Sequence, residues 1–294
     1  LAKIAEVLNQ AVVQRQQDGK PGTIQGQILA AGEGWTVTDV LCTSGPQDKI
    51  FEEEHRQFSI AMVVAGTFQY RSPSGRALLS PGALLLGGAG QCFECGHEHA
   101  TGDRCISFKY DAEYFRSLAR DVGCRYRFNI PSIPALKIFS LEFATLSAAL
   151  ESCHPVPWEE FVIHLAAKVL HMAGEQQTTR DYHPGSAARV TRIIRAIEHE
   201  PDGEWTISRM AAIARLSPYH FLRVFQEQIG ITPHQFLLRT RLRNAAARIA
   251  SAKNKVLDIA LDSGFGDISN FNRAFRGEFG ASPRKFHVLI RKGA

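Results

Sequence analysis

The last third of the chain uses one design twice. LSPYHFLRVF (residues 216–225) and GFGDISNFNRAF (residues 264–275) each set phenylalanines at helical spacing and leave an arginine among polar groups. A short helix with a single apolar stripe is marginal in water and must lay that stripe on another element. In the first copy Ser217 suits a cap and Pro218 the first helical position. Phe221, Val224, Phe225 and Ile229 form its stripe, which turns Tyr219, His220, Leu222, Arg223 and Gln226 toward solvent. In the second, Gly264 suits a tight turn and Asp267 a cap. Ile268, Phe271, Phe275 and Phe279 are its stripe, with Ser269, Asn270, Arg273 and Arg276 on the other faces. Upstream of each copy lies another short helical pattern, TISRMAAIA (206–214) and VLDIALDS (256–263), so two helix-turn-helix units are expected.

The outward faces suit a DNA major groove, where arginine can pair with guanine, asparagine with adenine, and serine with a base or a phosphate. Between the copies, TPHQFLLRTRLRNAAARIASA (232–252) reads as one helix, which at about 1.5 Å per residue spans roughly 30 Å. Successive major grooves on one face of B-DNA lie about 34 Å apart, so such a helix can set two readers into adjacent turns. Arg239, Arg241, Arg243 and Arg248 on it are expected as phosphate contacts or as solvated surface. Charge points the same way. Residues 186–294 hold 18 Lys and Arg against 9 Asp and Glu, a net +9, whereas residues 1–185 carry −4. A basic module on an acidic body implies a polyanionic partner.

These residues carry a family resemblance. LSPYHFLRVF, then GF at 264–265, Ser269, Phe271, Arg273, Phe275, Arg276, FGASP at 279–283 and Phe286 together resemble the AraC/XylS family of bacterial transcription regulators. The resemblance implies a sequence-specific regulator of transcription, an activator rather than a repressor, and not an enzyme. It places base readers at Tyr219, Leu222 and Arg223 and at Ser269, Asn270 and Arg273, with His220 and Arg276 as further DNA contacts. Double-stranded DNA is the implied partner and RNA polymerase a second one. Two positions depart from the family pattern. Leu222 offers only an apolar contact, such as to a thymine methyl. Arg215 stands at a turn where the family usually has glycine, at a strain of roughly 1 kcal/mol, so the first unit is expected to be less regular.

Ahead of this module the periodicity changes from helical to alternating. LAKIAEVLNQAVVQRQQ (1–17) is an amphipathic helix with Ile4, Leu8 and Val12 in its stripe, stopped by DGKPG (18–22). Between about 24 and 110, TIQGQILA, WTVTDVLC, FSIAMVVAGTFQYR, RALLS, ALLLGG and RCISFKY read as short strands separated by turn residues, which suggests a barrel or sandwich. Two amphipathic helices, roughly 134–151 and 158–173, are expected to pack on those strands or on a second subunit. GEQQTTRDYHPGS (174–186) is the best linker. The expected fold is α+β and multidomain. Residues 1–173 form a cupin-like β-barrel with flanking helices, a sensor and dimerisation domain in keeping with the resemblance, and residues 187–294 form an all-α double helix-turn-helix domain. A homodimer and a small-molecule effector follow from the same resemblance.

CFECGHEHATGDRC (92–105) gathers Cys92, Cys95, His97, His99 and Cys105 within fourteen residues. Its thiolate and imidazole donors fit Zn(II) or another transition metal, with Cys95, His99 and Cys105 the preferred ligands and His97 or Cys92 the fourth. A redox pair of Cys92 and Cys95, or reduced thiols filling a barrel wall, are the alternatives. Cys42, Cys124 and Cys153 read as small apolar fillers, and six cysteines in a cytoplasmic chain do not suggest structural disulfides. His55 is a candidate for the barrel interior and its effector. Two other functions stay open on these residues: a metal-dependent cupin enzyme, or a metal-thiolate sensor of oxidation or alkylation, fused to the DNA reader. Thiolates in place of histidines and a carboxylate count against iron–oxygen chemistry. No apolar run is long enough for a bilayer and no signal peptide is read. A cytoplasmic location is therefore expected, although Leu1 leaves room for an upstream piece trimmed away.

Overall fold

The computed structural model describes residues 2–152, 156–175, 184–251 and 255–292. Cys153 and most of the expected linker lie outside them. The chain opens with α1 (Ala2–Gln17), then β1 (Ile24–Gly32), β2 (Trp35–Cys42), β3 (Phe51–Glu54), β4 (Phe58–Gly66), β5 (Phe68–Ser72), β6 (Gly75–Leu79), β7 (Leu84–Gly87), β8 (Cys92–Gly96) and β9 (Asp103–Tyr110). After α2 (Ala112–Asp121) come the two-residue strand β10 (Ser132–Ile133), a 3₁₀ turn at Lys137–Phe139, α3 (Ser140–Ser152) and α4 (Trp158–Glu175). The remainder is helical: α5 (Pro184–His199), α6 (Ile207–Ala214), α7 (Pro218–Ile229), α8 (Pro233–Ser251), α9 (Val256–Asp262), α10 (Ile268–Phe279) and α11 (Pro283–Lys292).

The strands make two antiparallel sheets, a six-stranded one in the order β1-β2-β9-β4-β7-β10 and a four-stranded one in the order β3-β8-β5-β6. The expected closed barrel is corrected here. Closure requires the edge strands to pair, and among the described strands β1 and β10 stay edges of one sheet while β3 and β6 stay edges of the other. The long run FSIAMVVAGTFQYR is split where the chain leaves the first sheet for the second. Gly66 makes that passage with φ +78, and a Cβ there would sit 2.4 Å from the carbonyl oxygen of Gly102, so only glycine fits.

The six-stranded sheet buries one face under helices. Val37, Ile60, Met62, Ile106, Phe108 and Tyr110 meet Ile4 and Leu8 of α1, Phe115 of α2, Phe143 and Leu146 of α3, and Val162, Leu165 and Val169 of α4. The apolar stripes of α3 and α4 are therefore spent on the chain's own sheet, and a second subunit is not needed to cover them. The other face looks at the four-stranded sheet across a smaller apolar layer of Ala61, Val63, Phe68, Tyr70, Leu79, Ala83 and Leu85.

The C-terminal helices are docked on this body. Leu78 of β6 and Ala135 join the core of α5, α6 and α7. Ala144 and Ala148 of α3 join Leu242, Ala245, Ala246 and Ile249 of α8 in the core of the last four helices, where alanine faces alanine and the helices can approach closely.

Candidate functional site

Helix α7 starts where the sequence places it. Ser217 Oγ accepts from the amide of His220 at 3.4 Å, and Gly230 closes the helix with φ 81. Phe221, Val224, Phe225 and Ile229 are buried, and Tyr219 (78% exposed), His220, Leu222 and Arg223 lie at the surface. Arg223 is paired loosely with Glu227, one turn on, at 3.6 Å. Helix α10 follows the same plan. Asp267 Oδ1 accepts from the amide of Asn270 at 2.7 Å, Gly280 closes the helix, Phe271 and Phe275 are buried, and Ile268 and Phe279 are half-buried beside them. Ser269, Asn270, Arg273 and Arg276 are exposed, with Arg273 Nη2 donating to Asn270 Oδ1 at 3.1 Å. That bond holds a guanidinium and a carboxamide side by side on the helix surface, an arrangement able to meet two adjacent base edges.

The turns ahead of the two helices match. Leu216 N donates to Ala211 O and Arg215 N to Ala212 O; Phe265 N donates to Ala260 O and Gly264 N to Leu261 O. Both are the helix-closing pattern that needs a left-handed residue. Gly264 supplies it with φ +81, and Arg215 supplies it with φ 54, the only non-glycine residue with positive φ among those described. The first unit thus keeps the regular turn, contrary to the expectation of irregularity, and carries the strain locally.

Three of the four arginines of α8 are turned inward. Arg239 pairs with Glu278 at 3.2 Å and donates to Ala135 O, and Glu278 also accepts from Ser140. Arg241 donates to the carbonyls of Pro201, Gly203 and Gly264 at 2.8, 2.8 and 2.9 Å. Arg243 is buried, stacked 4.5 Å from the Phe143 ring centroid, and donates to Pro81 O. Arg248 pairs with Asp262 at 2.6 Å. For Arg239, Arg241 and Arg243 the expected phosphate contact or solvated surface is corrected to internal bonding, whereas Arg248 stays half-exposed on its ion pair. The docked body supplies the carbonyls of Ala135 and Pro81, and neighbouring elements of the C-terminal module supply Glu278 and the carbonyls of Pro201, Gly203 and Gly264, none of which the sequence of α8 alone reveals.

A second site lies between the sheets. A cavity of about 950 Å³ is lined by inward residues of β2, β4, β8 and β9, together with His55 and His97. His55 Nε2 lies 2.9 Å from the Tyr70 hydroxyl, which donates to Leu86 O, so the imidazole donates from Nε2. Burial, helped by the charge of Lys109, pushes the His55 pKa down to about 4. Deeper in, the ligand atoms of Cys42, His97 and Asp103 lie within 4.8 Å of one another, all buried. His97 Nε2 meets Asp103 Oδ1 at 2.6 Å, and Cys105 Sγ donates to Asp103 Oδ2 at 3.2 Å. Burial alone would lower the His97 pKa, but Asp103 and Cys42 outweigh it and hold it near 9. Burial pushes the thiols of Cys95 and Cys105 up. This group could hold a metal. Cys92 is exposed on the far face of β8, and His99 lies beside Glu98 at 3.6 Å.

Known proteins resemble the chain most closely at its C-terminal end. A helix-turn-helix domain model, HTH_18, matches residues 210–287, which take in both α7 and α10. The RhaS transcriptional activator of Klebsiella pneumoniae is 25% identical over 259 residues, 81% of this chain and 88% of its own length. These matches support a DNA-binding regulator with a C-terminal helix-turn-helix module, of the kind the AraC/XylS resemblance implied. Other relatives align over the C-terminal end alone. A Haemophilus influenzae HTH-type transcriptional regulator is 33% identical over 102 residues, 35% of this chain and 34% of its own. MtrA of Neisseria gonorrhoeae is 32% identical over 98 residues, 33% of each chain. The chain thus spans about a third of the length of these two relatives. ToxT of Vibrio cholerae aligns with 88% of the chain and 99% of its own at 10% identity, with a TM-score of 0.36, a likeness too distant to argue from.

At the site between the sheets, the sequence alone missed Cys42, which reads there as a filler, and Asp103. The signal was present in the two-residue spacing. On a strand, residues i and i+2 share a face. Cys95 and His97 form one such pair and Asp103 and Cys105 another, and Cys42 is the cross-strand partner of Asp103. Cys-x2-Cys, read as a chelate, instead sends Cys92 and Cys95 to opposite faces of β8.

Proposed function

We propose that the protein is a sequence-specific DNA-binding regulator of transcription, an activator by likeness to RhaS, in which α7 and α10 read adjacent major grooves. Tyr219, Leu222 and Arg223 read bases from α7, and Ser269, Asn270 and Arg273 from α10, with His220 and Arg276 on the backbone. What supports this is the pair of capped helices, each spending its phenylalanines on an internal core and leaving its polar face in water. They are spaced by α8, whose 19 residues span roughly 28 Å. Residues 1–173 act as the sensor, 174–186 as the linker and 187–294 as the reader. The space between the sheets takes the signal, a small molecule or a transition metal such as Zn(II), with His55 at its wall. Pairing of two copies on the operator and contact with RNA polymerase belong to the same proposal.

Recovery of genomic fragments bound by the full chain supplies the operator on which the readers are tested. Arg273→Ala is expected to cost about 1–3 kcal/mol on that operator and to relax preference at one base position. An equal loss on operator and random duplex would falsify the base-reading role.

A further inference from the structure

We propose that Cys42, His97 and Asp103, whose ligand atoms lie within 4.8 Å of one another, form, with Cys105 drawn in beside Asp103 as the fourth donor, a binding site for a single transition-metal ion of the zinc class, buried between the two sheets. The chemistry of the donors selects the metal. Two thiols, one imidazole and one carboxylate make a four-donor set of the kind that zinc, and cobalt in its place, takes in tetrahedral geometry. Magnesium and calcium require several hard oxygens, and of the four ligands only Asp103 offers a carboxylate. Each of the four residues is 5% exposed, so the ion would be shielded from water.

The register of the six-stranded sheet assembles three of the four. Cys42 closes β2 directly opposite Asp103, which opens β9, and Cys105 follows on the same face two residues later. His97 arrives from the other sheet, just past β8, held against Phe68 with ring centroids 6.0 Å apart. The ligands are therefore carried on strands in two packed sheets, and the site does not depend on ordering a loop.

The polar chemistry of the spot is unbalanced without a cation. His97 Nδ1 is buried and has no hydrogen-bond partner, although its Nε2 is bonded to Asp103. A buried polar atom left unpaired costs about 1–3 kcal/mol, and a buried ion pair returns little stability of its own. A metal ion taking Nε2 and the carboxylate as ligands replaces that buried ion pair with two coordinate bonds. The adjoining cavity of about 950 Å³ includes all four residues in its wall, which gives the ion a way in.

The inference leans on the sensor role of the sheet domain only for its consequence, and the two are tested apart. The full chain is stripped with a chelator under reducing conditions and titrated with Co(II), then with Zn(II) in competition. One equivalent is expected to bind, with a thiolate-to-cobalt charge-transfer band and the visible ligand-field bands of a tetrahedral ion, both erased by Zn(II). Cys42→Ser and His97→Gln are each expected to weaken binding by more than about a hundredfold, beyond the effect of groups that only orient ligands. Cys92→Ser, on the outer face of β8, is expected to leave it unchanged. Absence of stoichiometric cobalt or zinc binding by the reduced wild-type chain overturns the site, whatever the variants do. So does loss of binding in Cys92→Ser with retention in Cys42→Ser. Operator affinity, measured with and without zinc, reads the regulator proposal separately. A metal-binding chain with no affinity for any duplex leaves the site standing and sinks the regulator.

Discussion

His55 illustrates how burial reverses what a histidine usually does. A surface imidazole changes charge near neutrality, but this one is 9% exposed, stacked on Phe93 at 4.0 Å and bonded to Tyr70. Its pKa falls from 6.5 to about 4. Between those values the unfolded chain takes up a proton that the folded protein refuses, so stability is fully present above pH 6.5 and declines as the pH drops toward 4. The loss is expected to be on the order of 1–3 kcal/mol. Urea midpoints at a series of pH values should show it in the wild type and not in His55→Gln. A His55 imidazole resonance that titrates near 6.5 would refute the assignment. At the same scale the sequence identified the outward residues of α7 and α10 correctly, because helical spacing alone decides which side chains share a face. It misassigned Cys42, because the partner that gives that thiol chemistry lies on another strand, sixty-one residues away.

At the scale of the element, the two helix-turn-helix units form a natural experiment. The left-handed turn residue is Arg215 in one and Gly264 in the other. For an L-residue with a side chain that conformation costs about 1–2 kcal/mol, while glycine loses about 0.5–1 kcal/mol through its freer unfolded state. Arg215→Gly is therefore expected to stabilise the chain by roughly 0.5–1 kcal/mol. The reverse change, Gly264→Ala, adds a Cβ only 2.9 Å from the Arg241 guanidinium and from the Asp202 backbone, and should destabilise by more than about 1 kcal/mol. Thermal or denaturant unfolding of the two variants checks the opposite signs. The strands were legible where β-branched residues alternate. They were illegible at β3, FEEE, and at β8, CFECG, whose polar composition hides a paired strand.

At the scale of the molecule, α8 joins the two helix-turn-helix units to each other and to the sheet domain. Arg241 staples the loop before α6 to the turn before α10 through three carbonyls, and Arg243 plugs the body beneath Gly82, where a Cβ would lie 2.2 Å from its guanidinium. Burial lowers the Arg243 pKa to about 10, so it remains charged at neutral pH. Arg241→Ala should cost about 1.5–3 kcal/mol of stability, as charged hydrogen bonds do. The salt dependence of operator binding should stay as in the wild type, because no phosphate contact is removed. A shallower salt slope at unchanged stability would return Arg241 to the DNA. The contacts of Arg195 with the carbonyls of Thr101 and Gly102, and of Glu198 with the Gly66 amide, tie α5 to the segment that leads into Asp103. The site between the sheets and the reader are thus physically continuous.

What the sequence determined was local: the stripes and caps of α7 and α10, the stripe of α1, the alternation of most strands, and the opposed charge of the two ends. These follow from periods of 3.6 and 2 and from backbone chemistry within a few residues. What only the tertiary structure decided was pairing at a distance. Among the described strands the sheets stay open because their edges find no partners, Arg239, Arg241 and Arg243 turn inward because the sheet domain and the loops before α6 and α10 offer them carbonyls, and Cys42 meets His97 and Asp103 because two sheets bring three strands together. Such contacts depend on which remote group arrives opposite, and no local pattern encodes that.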